Sequence, residues 1–163
     1  MKYYLLIFLS LLSYGCATVT SSANYAKGTE ALEKGDVETS IGYLEEAVRL
    51  EPQSSKNHNN LASAYTAVGR IDEAWLHVRK AVVLDPWNEY AVLNSRHIFK
   101  TIVKAKDLQE GDSELIVIEK LGKPESTKEA LKSECGCTWW QYGSVGLSFV
   151  DGMLSGVANM ERR

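Results

Sequence analysis

The sequence of 163 residues predicts an α+β protein in which paired helices come first and a small antiparallel sheet comes last. Three observations support this fold class. Residues 35–52 and 69–86 resemble each other at a spacing of 34 residues. Apolar residues in the same part of the chain recur with the helical period, and after residue 138 the period changes to two. We therefore expect helical hairpins and a capping helix, followed by a short helix that packs on a β-meander.

The two similar stretches read GDVETSIGYLEEAVRLEP and GRIDEAWLHVRKAVVLDP. Each begins with a glycine, Gly35 or Gly69, which suits the left-handed residue that follows a helix. Each ends with a proline, Pro52 or Pro86. In the second unit the apolar residues fall on one face of each of two helices: Leu61, Ala64, Tyr65 and Val68, then Ile71, Ala74, Trp75, Val78, Ala81 and Val82. Each unit is therefore predicted to be a helical hairpin.

A helix–turn–helix unit of 34 residues is typical of the tetratricopeptide repeat, and the sequence resembles that family over about residues 22–105. The second unit has the family's signature residues at Leu61, Ala62, Tyr65, Gly69, Ala74, Ala81 and Pro86. The first unit keeps Gly28, Gly35, Ala47 and Pro52 but has Ala31 and Ser40 where tyrosine and alanine are usual. The resemblance implies a repeat array over residues 25–105.

One more helix is predicted after the second unit, in the stretch NEYAVLNSRHIFKTIVKAK, and it has no partner helix of the repeat type. Five helices fall short of the three full repeats that a stable solenoid usually needs. We therefore expect the C-terminal segment to cover the open end of the array.

That segment begins with a short helix whose ends are marked in the sequence. Asp112 or Ser113 is the expected N-cap, Gly122 the residue that ends the helix, and Pro124 follows it. Two-residue turns at Gly143-Ser144 and Asp151-Gly152 then predict a meander. Its buried face is expected to carry Trp140, Tyr142, Val145, Leu147, Phe149 and Leu154, and its other face Trp139, Gln141, Ser148 and Ser155.

The order of these parts resembles the SmpA/OmlA family of small outer-membrane lipoproteins, the family of BamE-like domains. The shared pattern consists of Gly111, Ser113, Val117, Leu121-Gly122-x-Pro124, Trp140-x-Tyr142 and Leu147-x-Phe149-x-Asp151-Gly152. The resemblance implies a BamE-like α+β domain over residues 106–163 and an accessory role in outer-membrane assembly. In that family the domain follows the lipid anchor directly, whereas a repeat array intervenes here.

The N-terminus is typical of an exported lipoprotein. Residues 1–15 contain one lysine and a short apolar run, which predict a signal peptide rather than a membrane-spanning helix. Cys16 is the expected lipidation site, carrying palmitate, and residues 16–24 the tether. Because Ala17 rather than aspartate follows, resemblance to enterobacterial lipoproteins implies the periplasmic face of the outer membrane. The alternatives are an ordinary signal peptide with an incidental cysteine and, less favoured, a cytoplasmic co-chaperone.

Neither catalysis nor a cofactor is predicted. The three histidines, His58, His77 and His97, lack the spacing of metal ligands and are expected to be packing or surface residues. The sequence contains no phosphate-binding glycine loop and no Gly-x-Ser-x-Gly elbow. A net charge of −3 without a basic stripe argues against a nucleic-acid partner.

With catalysis and nucleic-acid binding disfavoured, the sequence predicts that the protein binds another protein. In tetratricopeptide arrays the first helix of each unit lines the concave groove for a peptide or partner helix. By the repeat phase, that resemblance assigns the groove to Tyr25, Thr29, Leu32, Lys56, Asn59, Ser63, Thr66, Tyr90, Leu93, His97 and Lys100. Only Asn60 stands at a position of the carboxylate clamp used by the chaperone-binding subset of this family. We therefore expect a component of an envelope assembly or secretion system as partner, and not a chaperone terminus.

The stretch SECGCTWWQYG adds two thiols and two tryptophans. We expect Cys135 and Cys137 to form a local structural disulfide, because thiols this close seldom stay free in an oxidising compartment, or else to be a lone surface pair. The alternative is a periplasmic thiol–disulfide exchange site using the same two cysteines. Trp139, on the face opposite Trp140, is expected to contact a partner or to pack on the repeats.

Overall fold

The structure, a computed structural model, describes residues 19–129 and 137–159. In these residues there are six helices and one four-stranded antiparallel sheet, which confirms the α+β class. The helices are α1 (residues 19–33), α2 (Val37–Leu50), α3 (Ser55–Ala67), α4 (Ile71–Leu84), α5 (Glu89–Ala105) and α6 (Glu114–Leu121). The strands are β1 (Ser126–Glu129), β2 (Cys137–Tyr142), β3 (Val145–Val150) and β4 (Met153–Asn159).

Two helical hairpins, α1–α2 and α3–α4, form the repeat array, and α5 packs on the second hairpin. The small residues of the repeat pattern lie where helices approach closely. Ala62, Ala74 and Ala81 are fully buried. A Cβ on Gly28 would lie 2.6 Å from Leu44 Cγ, so that α1 can approach α2 this closely only with glycine at this position.

The predicted tether is wrong for residues 19–24, which are the first described turns of α1. Ser21 is fully buried there. Its hydroxyl donates to the carbonyl oxygen of Ala47 (3.1 Å) and accepts from Asn57 Nδ2 (3.1 Å). The stretch has no apolar period because polar groups of other helices, rather than apolar packing, hold it in place. Residues 1–18, which contain the predicted signal peptide and Cys16, lie outside the described residues.

The sheet has the order β1-β2-β3-β4. The predicted turns are present, with positive φ at Gly143, Asp151 and Gly152. All six residues expected on the buried face are buried, because the period of two places them on the side that faces the helices. Strand β1, which the sequence did not predict, pairs with β2 from Ser126 opposite Gln141 to Glu129 opposite Thr138.

Helix α6 is fixed at both ends. Ser113, rather than Asp112, is its N-cap, and its hydroxyl accepts a bond from the Ile116 amide at 3.5 Å. Gly122 ends the helix with φ +79°, as predicted. Main-chain bonds of 2.8 Å from Gly111 N to Leu154 O and from Leu154 N to Asp112 O attach the start of this helix to β4.

One continuous core runs from the repeats into the sheet. The Trp75 indole lies 6.3 Å from the Tyr142 ring and donates to the Leu121 carbonyl at 3.3 Å. The Tyr142 hydroxyl donates to the Gly122 carbonyl at 2.8 Å. The sheet therefore packs on the repeat helices as well as on α6, so the C-terminal segment covers part of the end of the array. Within the described ranges, no helix combines the length and hydropathy needed to span a membrane.

Candidate protein-interaction groove

Helices α1, α3 and α5 face one concave surface, which we call the concave groove. It encloses about 860 Å³. The residues that line it are Tyr25, Lys56, Asn59, Asn60, Ser63, Asp85, Asn88, Tyr90, Leu93, Asn94 and His97. Four of them are asparagines. The surface is therefore rich in groups that can both donate and accept hydrogen bonds.

A row of amides crosses the groove from α5 to α1. Asn94 Nδ2 on α5 donates to Asn59 Oδ1 (3.1 Å) and to Ser63 Oγ (2.7 Å) on α3. Asn59 Nδ2 then contacts Asn60 Oδ1 at 3.4 Å, and Asn60 Nδ2 donates to Thr29 Oγ1 on α1 at 3.0 Å. These bonds hold the amides in fixed orientations. Because a carboxamide has two donor hydrogens and two lone pairs, each asparagine keeps capacity for a ligand.

Aromatic and apolar side chains stand beside the amide row. Tyr90 is 80% exposed and Leu93 is 62% exposed, although both belong to α5. On the opposite side, the Lys56 ammonium lies 5.6 Å from the centroid of the Tyr25 ring. Such a contact between a cation and an aromatic face is stabilising and keeps the cation at the groove edge. The groove thus combines carboxamides, which resemble peptide groups in their hydrogen bonding, with aromatic and aliphatic side chains that offer apolar contact.

Most of the residues that sequence assigned to the groove are found there: Tyr25, Lys56, Asn59, Ser63, Tyr90, Leu93 and His97. Thr29 lies behind the lining and supports Asn60. Thr66 is outside the lining and donates to the Ala62 carbonyl of its own helix at 2.7 Å. Leu32 packs against the core instead, and Lys100 is exposed beyond the lining.

Four lining residues were not among those assigned to the groove from the sequence: Asn60 and Asn94, which were considered only as clamp positions, and Asp85 and Asn88. Asn94 could have been found, because it lies one helical turn after Tyr90 and one before His97, on the same face of α5. Asp85 and Asn88 precede α5 in the α4–α5 connection, where the helical period gives no signal. Asn88 caps α5 by accepting from the Ala91 amide at 3.2 Å.

The C-terminal candidates lie elsewhere. Trp139 is 45% exposed on the sheet face that points away from the helices, so packing on the repeats is wrong and a partner contact stays a prediction. Cys137 is disulfide-bonded at the start of β2. Its partner is not among the described residues, since the other two cysteines of the chain, Cys16 and Cys135, both lie outside them. The pairing of Cys135 with Cys137 stays a prediction.

Two of the histidines form a packed pair outside the groove, as expected of packing residues. Their Nδ1 atoms are 2.9 Å apart, and His58 Nε2 lies 3.1 Å from the Pro52 carbonyl. Burial lowers the pKa of His77 to about 4, helped by the neighbouring His58, and burial likewise lowers the pKa of His58. The pair therefore joins α3 to α4 in the neutral form. In residues 19–129 and 137–159 no three His, Cys, Asp or Glu side chains converge as a metal site.

Solved structures match the helical part of the chain. The Arabidopsis OM64 TPR domain has a TM-score of 0.52 at 21% identity, over 56% of this chain and 75% of that one. The second TPR of Spaghetti (RPAP3), bound to HSP90 peptide SRMEEVD, has a TM-score of 0.50 at 18% identity, over 52% of this chain and 79% of that one. The helical part has the tetratricopeptide repeat fold. No family model matches the sequence, and neither does any curated protein.

Proposed function

We propose that this protein is a non-catalytic scaffold that binds an extended segment of a partner protein in the concave groove. The amide row of Asn59, Asn60 and Asn94 is the observation that carries this proposal. Groups with fixed donors and acceptors suit the main chain of a peptide, which offers one donor and one acceptor at each residue. Tyr90 and Leu93 supply the apolar surface for its side chains.

The proposed partner is a segment of an envelope assembly or secretion component, and not a chaperone C-terminus. A carboxylate clamp needs several cationic side chains at fixed places in the groove. Among the described residues that line the groove, Lys56 is the single lysine, and there is no arginine. Its ammonium faces the Tyr25 ring. Asn60 matches one clamp position of the chaperone-binding subset, and the other clamp positions are occupied by Tyr25, Thr29, Tyr90 and Asn94.

The proposed location is the periplasmic face of the outer membrane, with a lipid on Cys16 as anchor. The lipobox-like end of the apolar run supports it. The BamE-like pattern supports the outer membrane and an assembly role, because the described sheet and α6 have the element order that this pattern implies. Metabolic labelling with palmitate tests the anchor: the wild type should incorporate label and fractionate with the outer membrane, and Cys16→Ser should do neither. Label retained in Cys16→Ser would overturn it.

The binding proposal is tested by affinity purification from cross-linked membranes, with quantitative mass spectrometry. A partner captured by the wild type should be depleted about tenfold in an Asn59→Ala, Asn94→Ala double variant, which loses two hydrogen-bonding side chains. Thr39→Ala, at an exposed position of α2 outside the groove, is the matched control. Equal capture by all three proteins would contradict the proposal.

Thiol–disulfide exchange by Cys135 and Cys137 is the second candidate function, and the disulfide at Cys137 is the observation that keeps it open. A Cys135→Ser, Cys137→Ser variant separates the two proposals. The scaffold proposal predicts that this variant keeps its membrane attachment and captures the same partner. Complete loss of the envelope phenotype in a folded, membrane-attached variant would favour exchange chemistry instead.

A further inference from the structure

A second groove, which we call the end groove, lies where the repeat array meets the sheet. It encloses about 620 Å³ between the end of α4, one face of α5 and the β2–β3 turn. Its lining includes Val82, Val83, Pro86, Val92, Arg96 and Ser144. In a longer array the next repeat helix would pack against this side of α5. Here the sheet covers only part of it, through a Ser144 hydroxyl that bonds Ser95 on α5.

Aliphatic side chains form one wall of the end groove. Val83 is 52% exposed and Leu93 is 62% exposed. Val82 and Val92 belong to a small separate core cluster beneath them. This exposed apolar strip is continuous with buried packing, so a ligand side chain placed on it would extend an existing core rather than a solvated surface.

Arg96 lies on the same face of α5 as Val92 and Leu93. It differs in its hydrogen bonding from Arg79, the other arginine near the sheet. Its Nε is shielded from solvent and has no hydrogen-bond acceptor among the described residues. By contrast, Arg79 donates to Glu125, Leu121 and Lys123. A shielded guanidinium N–H without an acceptor is costly, and native proteins seldom leave one unpaired. An acceptor presented by a ligand in the end groove would complete Arg96.

The acidic residues of the end groove do not supply that acceptor. They also make the two ends of the groove differ in charge. Glu125 is already bonded to Arg79 Nε at 2.6 Å and to the Gly143 amide at 3.0 Å. Glu89 lies in the first turn of α5, about two helical turns or roughly 10 Å from Arg96. A ligand carboxylate is thus attracted at the Arg96 end and repelled at the Glu89 end.

We propose that the end groove binds a second protein segment, one that presents an aliphatic side chain to Val83 and Leu93 and a carboxylate to Arg96. This site goes beyond the concave groove and meets it at Leu93, which lines both. Charge complementarity fixes the orientation of the segment, because its carboxylate must point away from Glu89. The protein would then hold two partner segments on adjacent faces of one helix.

The smallest probe of this chemistry is N-acetyl-L-leucine, which has one aliphatic side chain and one carboxylate. We would titrate it into isotope-labelled protein and follow backbone amide shifts by NMR, with N-acetyl-L-leucinamide as the uncharged control. The acid should shift the amides of Val92, Gly143 and Ser144 in a saturable manner. The amide should bind at least about tenfold more weakly, because it cannot form a charge-assisted bond with Arg96.

Three variants make the test specific. Arg96→Gln should reduce binding of the acid to the level of the amide, and Val83→Glu should abolish it by placing a charge on the apolar wall. Asn94→Ala, in the concave groove, should leave it unchanged, so that failure here is distinguishable from failure of the concave-groove proposal. Equal binding of acid and amide, binding retained in Arg96→Gln, or no shifts at these amides would overturn the proposal. Concentration-dependent shifts of these amides without probe would also overturn it, since a second copy of the chain would then be the occupant.

Discussion

Arg79 Nε on α4 lies 2.6 Å from Glu125 Oε1, and this ion pair joins the last repeat helix to the chain segment that enters the sheet. The two side chains are only 15% and 23% exposed. The same guanidinium donates to the carbonyl oxygens of Leu121 and Lys123 and lies 4.9 Å from the Tyr142 ring centroid. Arg79 thus makes more contacts across the boundary between repeats and sheet than an ordinary surface ion pair would.

Replacing this arginine should cost stability because three acceptors, on Leu121, Lys123 and Glu125, lose a charged donor at once. We predict that Arg79→Met lowers the free energy of unfolding by roughly 2–4 kcal/mol. The exposed pair of Arg49 with Glu46 on α2 offers a matched control, and Arg49→Met should change the same quantity far less, because solvent screens an exposed ion pair. Urea unfolding at neutral pH measures both. Equal losses in the two variants would show that Arg79 does not fasten the sheet.

Ala74 lies where α4 meets its neighbours and is fully buried. A larger side chain has no space there, so Ala74→Leu should destabilise the array by about 1–3 kcal/mol through overpacking. Ala26→Leu on the exposed side of α1 adds the same volume without burial and should change stability by no more than about 0.5 kcal/mol. An unchanged melting temperature for Ala74→Leu would mean that the assigned repeat phase is shifted.

Ser40 stands where the repeat pattern usually has alanine. It is fully buried, and its hydroxyl has no hydrogen-bond partner among the described residues. Burial of an unpartnered hydroxyl costs about 1–3 kcal/mol. Ser40→Ala removes that hydroxyl with little change in volume, so we expect the free energy of unfolding to rise by about 1 kcal/mol. Thr39→Ala, next to it on the exposed side, should give no such gain; a loss of stability in Ser40→Ala would contradict the prediction.

The histidine pair predicts a particular pH dependence. Burial places the pKa of His77 at about 4 and lowers that of His58, whereas an unfolded histidine titrates near about 6.5. Between these values the unfolded chain binds more protons than the folded one, so stability falls as pH falls from about 6.5 towards 4. The charged groups around the pair, which include Glu45, Glu73 and Lys80, are common to wild type and variants.

The variant His77→Gln removes one of the two titrating groups. Its free energy of unfolding should decline less steeply between pH 7 and pH 5 than that of the wild type, by at most about 1.4 kcal/mol per pH unit. Urea unfolding at pH 7, 6 and 5 gives the two slopes, and the comparison of slopes is independent of any loss of packing. Parallel slopes would show that the pair does not exclude protons in the folded state.

The parts of the fold that sequence predicted are those set by local periodicity. The stripe through Leu61 and Tyr65 and the alternation through Leu147 and Phe149 each place apolar residues on one face, and the structure buries them there. The turns at Gly143-Ser144 and Asp151-Gly152 were likewise predicted from residue types that are adjacent in the sequence. These features depend on residues a few positions apart, so one sequence suffices to find them.

Features that depend on distant residues were not predictable in this way. The sequence gives no sign that Ser21 is buried by Ala47 and Asn57, or that Arg79 meets Glu125. Strand β1 was missed because its four residues, Ser126–Glu129, are polar and show no apolar alternation. They form a strand by pairing with β2. In the groove, the role of Asn94 depends on Asn59 and Ser63, which lie on another helix.

The concave groove as a binding site for a partner segment is best tested by site-specific photo-cross-linking in intact cells. A photoreactive phenylalanine in place of exposed His97 lies in the groove, and one in place of Leu76, which is 65% exposed on α4, lies outside it. We predict a discrete protein adduct from position 97 that is lost in the Asn59→Ala, Asn94→Ala background, and no such adduct from position 76. The same adducts from both positions, or none from position 97, would contradict a partner in the concave groove.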